Sequence, residues 1–105
     1  TRPLSYGDAM MILISYDVNT QDPAGKKRLR RLAKHCENWG QRVQFSVFEC
    51  LVDPSQWTAL RAKLTACMDE QKDSLRFYNL GNSYSEKVYH IGKKLGIPLE
   101  GELIL

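Results

Sequence analysis

The run Met11-Ile12-Leu13-Ile14-Ser15-Tyr16 carries no charge and no polar alternation, and Asp17 closes it. A continuous apolar run bounded in this way predicts a central β-strand covered on both faces. Turn-forming residues follow from Asn19 to Gly25, and then Leu29, Leu32, Ala33 and Cys36 take the i, i+3, i+4, i+7 positions of an amphipathic helix. Gly40 reads as the stop of that helix.

From Gln41 to Asp53 the chain reads as strand, with Val43, Phe45 and Val47 on one face and Gln44, Ser46 and Phe48 on the other. The stretch is long for a single strand, so a bulge or reversal is expected near Phe48-Glu49-Cys50, giving two antiparallel strands. Asp53-Pro54-Ser55-Gln56 marks a helix start: an acidic N-cap, Pro at the first helical position, and Gln placed to reach back to the cap. That helix is expected to run to about Glu70, burying Trp57, Leu60, Leu64, Cys67 and Met68. Its charges are mixed, and it is assigned packing alone. Residues 74 to 80 alternate Leu75, Phe77 and Asn79 against Arg76, Tyr78 and Leu80, a further strand that ends in the turn Gly81-Asn82-Ser83-Tyr84.

The order βαββαβ predicts an α+β sandwich of ferredoxin-like type, both helices lying on one face of an antiparallel sheet. If Ile12, Phe45 and Phe77 face the helices, then Leu13, Phe48, Tyr78 and Leu80 are left on the other face. A second copy packing sheet against sheet would cover them, which predicts a homodimer; a register one residue off would dissolve that face. The apolar end Leu103-Ile104-Leu105 predicts an extra C-terminal strand that completes a sheet edge, on this chain or on its partner. Residues 1 to 9 show no periodicity and read as an N-terminal extension or a cloning remnant. Residues 10 to 105 then form a single domain, without repeats or a dividing linker.

Charge changes this picture more than composition does. The chain has 105 residues and a net charge of +3, but residues 26 to 42 hold Lys26, Lys27, Arg28, Arg30, Arg31, Lys34 and Arg42 against Glu37 alone. That segment is +6, which leaves −3 for the remainder. On a helical wheel these cations gather opposite the apolar stripe, with Arg28 and His35 at the border, and a local basic face of this kind fits a polyanionic partner. Cys36, Cys50 and Cys67 lie among apolar residues without the close spacing of a zinc site, and they read as buried thiols of a protein in the reducing cytoplasm. No window approaches the roughly 18 apolar residues of a membrane helix. His35 and His90 have no partner at a recognisable spacing, and no nucleophile elbow, phosphate-cradling glycine loop or zinc motif occurs.

Two readings of Asp17 stand side by side. It starts a turn at Asp17-Val18-Asn19, or it is a metal-ligating carboxylate beside a basic helix, as phosphodiester chemistry requires. One carboxylate per chain is a thin donor set, and a dimer axis near the end of the first strand would double it.

Leu-Ile-Ser-Tyr-Asp-Val at 13 to 18, the basic helix, and Gly-Gln-Arg-Val-Gln-Phe-Ser-Val-Phe-Glu at 40 to 49 together resemble the CRISPR-associated Cas2 family. The order matches from about Met10 to the C-terminus, and Asp73-Ser74-Leu75-Arg76-Phe77-Tyr78 is similar to that family's fourth strand. The resemblance implies a ferredoxin-like homodimer acting with an integrase partner to place foreign DNA spacers into a CRISPR array. It also implies Mg²⁺-dependent endonuclease activity on RNA or double-stranded DNA. Asp17 matches the family's metal-binding aspartate, Ser46 and Phe48 lie in its Ser-Val-Phe segment as further catalytic candidates, and Arg31 and Arg42 match basic positions. The nucleic-acid-binding candidates are then Lys27, Arg28, Arg30, Arg31, Lys34 and Arg42. The competing expectations are a non-catalytic DNA-binding scaffold for the integrase and a ferredoxin-like regulator that binds a small ligand.

Overall fold

The computed structural model describes residues 9 to 94. Its elements are β1 (Met10–Asp17), α1 (Pro23–Glu37), β2 (Gly40–Gln44), β3 (Val47–Val52), α2 (Pro54–Cys67) and β4 (Ser74–Gly81), followed by a short 3-10 turn at Tyr84–Glu86. The strands form one antiparallel sheet in the order β2-β3-β1-β4, which is the ferredoxin-like arrangement. The apolar run of β1 accordingly holds an interior position, Ile14 pairing with Phe48 on one side and Phe77 on the other.

Alternation decides which residues reach the helices. Ile12, Ile14 and Tyr16 of β1 and Phe48, Cys50 and Val52 of β3 are buried together with Leu32, Ala33 and Cys36 of α1 and Leu60 and Leu64 of α2. The opposite parity of β1, namely Met11, Leu13, Ser15 and Asp17, points to the face without helices. Asp53 and Gln56 cap α2 reciprocally, the Asp53 carboxylate accepting from the Gln56 N–H at 2.7 Å and the Gln56 side chain from the Asp53 N–H at 2.9 Å.

The structure corrects several boundaries. The chain reverses at Phe45-Ser46, three residues before the expected place, and a register shift between Arg42 and Gln44 breaks the alternation between β2 and β3. Phe45 and Phe48 therefore exchange roles: Phe45 is 79% exposed at the turn and Phe48 is fully enclosed on the helix side. Asp22 accepts from the Gly25 N–H at 2.7 Å and caps α1, so Pro23 to Gly25 belong to the helix and not to the preceding loop. Gly40 begins β2 instead of ending α1, because a Cβ there would collide with the Glu49 carbonyl of the neighbouring strand. Helix α2 stops at Cys67 and Met68 leaves it in extended conformation, short of the expected Glu70. Residues 87 to 94 hold no strand, and the rest of the expected fifth strand, 95 to 105, lies outside the described residues, as do residues 1 to 8.

Candidate functional site

Asp17 is the last residue of β1, exposed at the end of the helix-free face and paired across to Ser74 of β4. With Asn19, Thr20, Gln71, Lys72 and Ser74 it lines an open depression of about 510 Å³. The Phe45-Ser46 reversal lies at the same end of the sheet: the Ser46 carbonyl accepts from the Tyr16 N–H at 3.0 Å, and the Tyr16 hydroxyl donates to the Phe45 carbonyl at 3.4 Å. Topology therefore sets the Ser46 backbone beside Tyr16, the residue before Asp17. Burial pushes the Tyr16 hydroxyl up in pKa, against the opposing Arg42 charge, so the phenol is a neutral structural donor.

Phe48, a catalytic candidate from its sequence context, is a core residue. Its ring is enclosed between Tyr16, whose centroid is 6.2 Å away, and the Arg42 guanidinium at 5.1 Å, so it reaches no substrate and acts only by packing beneath the site.

The depression has a second carboxylate that sequence reasoning passed over. Asp73 has no side-chain exposure, and its oxygens accept from Arg28 Nε at 2.7 Å, Arg28 Nη2 at 3.2 Å, the Asn19 N–H at 3.1 Å and the Asp69 N–H at 2.9 Å. The Arg28 guanidinium, followed by the two backbone donors, holds the Asp73 carboxyl below the usual carboxylate range. This clasp ties the loop after Asp17 to α1 and to the turn before β4. It also consumes the lone pairs of Asp73, leaving Asp17 as the carboxylate of the depression that has no partner among the described residues. Among the described residues no group of three His, Cys, Asp or Glu side chains is placed to hold a metal ion.

The basic candidates separate in the same way. Arg28 is engaged by the enclosed Asp73, whereas Arg42 meets the exposed Glu37 at 3.5 Å. Lys27, Arg30, Arg31 and Lys34 are exposed along α1. Lys63 of α2, which the sequence pattern assigns to packing, shares a groove with Arg31 and His35. Cys36 and Cys50 are buried and Cys67 half-buried, all three free; the hydrogen bond to Cys50, then burial, push the Cys36 thiol up, and burial pushes Cys67 up. The enclosed Cys36 and Cys50 are structural thiols of the core.

Comparison with known proteins bears on this arrangement directly. The family model described as CRISPR associated protein Cas2 matches residues 10–88. A CRISPR-associated endoribonuclease Cas2 of Nitratidesulfovibrio vulgaris is 57% identical over 101 residues, covering 95% of this chain and 99% of the relative. A CRISPR-associated endonuclease Cas2 of Halalkalibacterium halodurans is 59% identical over 95 residues, covering 90% of this chain and 99% of the relative. The crystal structure of Streptococcus pyogenes Cas2 at pH 6.5 superimposes with a TM-score of 0.70 at 52% identity, over 79% of this chain and 100% of that one.

Proposed function

The chain belongs to the CRISPR-associated Cas2 family, and from that membership we propose that it is a homodimeric, metal-dependent endonuclease of spacer acquisition. Its relatives bear both endoribonuclease and endonuclease names, so RNA and double-stranded DNA are both substrate classes of the proposal. The integrase of the spacer-acquisition complex is its partner in this reading.

One observation carries the reading: Asp17, unpaired among the described residues, stands at the end of the sheet face that no helix of the described residues covers. Leu13 is half-buried there beside the 42%-exposed Tyr78, its cross-strand neighbour, and Val88, Tyr89 and Ile91 are exposed after β4. A second copy seated on this face would bury the apolar surface and set its own Asp17 near the first. Mg²⁺ takes one or two carboxylates and keeps several waters, so two Asp17 side chains are a sufficient donor set. Bound there, the cation would polarise the phosphate and lower the pKa of its water. The protein's own residues do the rest. Asp73 and Arg28 fix the loop beside Asp17, and Tyr16 pins the Phe45-Ser46 reversal at the same end.

Leu13→Glu places a charge at the centre of the uncovered face, against Glu49 across the ladder. The expected result is a monomer by sedimentation where the parent protein is a dimer, with cleavage lost at the same time. An unchanged mass rejects this face as the interface.

The scaffold function rests on a separate observation, the exposed cations of α1 on the face of the molecule opposite to Asp17. Replacing Lys27, Arg30, Arg31 and Lys34 by Gln is expected to weaken duplex binding and to flatten its dependence on salt, by about 0.9 in log–log slope for every phosphate that is no longer neutralised. A slope equal to that of the parent removes α1 from the binding surface. Among the described residues no helix is long and apolar enough to cross a membrane, and the work proposed here belongs in the cytoplasm, with the DNA.

A further inference from the structure

The position where α2 ends alters its charge. A helix running to Glu70 would include Asp69 and Glu70 beside Arg61 and Lys63, whereas the helix that stops at Cys67 contains no acid at all. Arg61 lies over the Trp57 ring at 5.7 Å, and Lys63 is exposed. Lys63, Ala66 and Cys67 fall at i, i+3 and i+4, a single stripe that faces α1.

The cations of α1 sort by angle in turn. At about 100° per residue, Lys26 and Arg30 fall on the side away from α2, Lys27 and Lys34 on the crest, and Arg31 and His35 on the side toward α2. The thiol of Cys67 donates to the Arg28 carbonyl at 3.9 Å and sets the approach of the helices at this level, while the small Ala66 leaves depth between them. The result is a groove of about 380 Å³ with Arg31 and His35 on one wall and Lys63 on the other. Among the described residues Arg28, Arg42 and Lys72 have acidic partners, and Arg31 and Lys63 have none. Two cations from different helices, unpaired among the described residues, thus border one shallow groove and add their fields there.

We propose that this α1–α2 groove seats a backbone phosphate of nucleic acid, with Arg31 supplying a bidentate fork and Lys63 a point charge from the opposite wall. Lys27 precedes Arg31 by one turn, ~6 Å along the axis, so a backbone entering the groove meets a second cation in register. The proposal rests on the nucleic-acid-binding reading above and specifies the path: along the groove, not over the Lys26-Arg30 side of α1.

The test is duplex binding by fluorescence anisotropy across a salt series, with the parent protein, Lys63→Gln and Lys63→Arg, together with alkylation of Cys67 with and without duplex. Cys67 is a built-in reporter, because Cys36 and Cys50 are fully enclosed. Lys63→Gln is expected to weaken binding roughly five- to tenfold near 0.1 M salt and to reduce the slope by about 0.9 for each groove engaged, while Lys63→Arg retains both. Bound duplex should slow alkylation of Cys67. Parent-like affinity and slope in Lys63→Gln overturn the groove, as does weakened binding with Cys67 unprotected, which would mark a distant charge effect. In either case, loss of binding by the α1 quadruple variant keeps the broader reading. If that variant also binds like the parent, both fail.

Discussion

Asp73→Ala is expected to lower stability by about 3 kcal/mol, because removing the carboxylate strands the Asn19 and Asp69 N–H groups and deprives Arg28 of its counter-charge. Each part-buried donor left without a partner costs about 1 kcal/mol, the low end for an unmade bond, because water can reach it. The guanidinium keeps 15% of its surface in water, and its share of the loss is smaller for that reason. For a domain of this size the loss corresponds to a fall in Tm of more than about 10 °C. Arg28→Gln combined with Asp73→Asn should be no less stable than Asp73→Asn alone, since the cation has then gone with its partner. A strongly additive double variant would show that the two side chains do not act as a unit.

The same clasp sets an acid limit. The Asp73 carboxyl is lowered by Arg28 and by the two backbone donors, and Asp22 is lowered in the same direction by the Gly25 N–H. A carboxyl depressed in the folded state contributes its full stability above its unfolded pKa of about 3.9 and loses it as pH falls through the folded value. Stability should therefore drop below about pH 4, and Asp73→Asn should remove part of that drop while lowering the plateau at neutral pH. Because Asp73 also holds the Asn19 N–H, cleavage by Asp73→Asn should suffer in turnover beside a smaller change in KM.

What was legible in the sequence was local. The uncharged run ending at Asp17 fixes an interior strand, and Asp53-Pro54-Ser55-Gln56 carries its own capping chemistry, so the strand and the start of α2 stand where the pattern places them. The reversal at Phe45-Ser46 escaped because it lacks the Asn-Gly or Asp-Gly signature, and the register shift at Arg42/Gln44 makes the strand pair look like one long alternation. That single slip sent Phe48 to the wrong face. Asp73 was beyond reach for a different reason. Its partner Arg28 is 45 residues away, and only the turn before β4 folding against α1 joins them. Lys63 likewise gains meaning from the neighbouring helix and from a boundary three residues shorter than the pattern implies.

Asp17→Ala should separate chemistry from architecture, because the side chain is exposed and, among the described residues, unpaired. Its removal costs the fold little, and Tm should match the parent, in contrast to Asp73→Ala one loop away. Metal-dependent cleavage should fall at least ~100-fold, since the charge stabilisation that a carboxylate-held cation supplies is worth several kcal/mol. Chelation of the parent protein should reproduce that loss, and Mg²⁺ binding measured by calorimetry should vanish in the variant without any loss of dimer. Undiminished cleavage by rigorously purified Asp17→Ala would remove this residue from the active site. The decisive comparison is spacer acquisition in cells. If nuclease chemistry at the sheet end is the protein's task, acquisition falls with cleavage in Asp17→Ala and survives in Lys63→Gln. If the dimer serves as a scaffold, the pattern inverts: acquisition survives the loss of Asp17 and fails with the cations of the opposite face, because phosphate contacts that position DNA need no activated water.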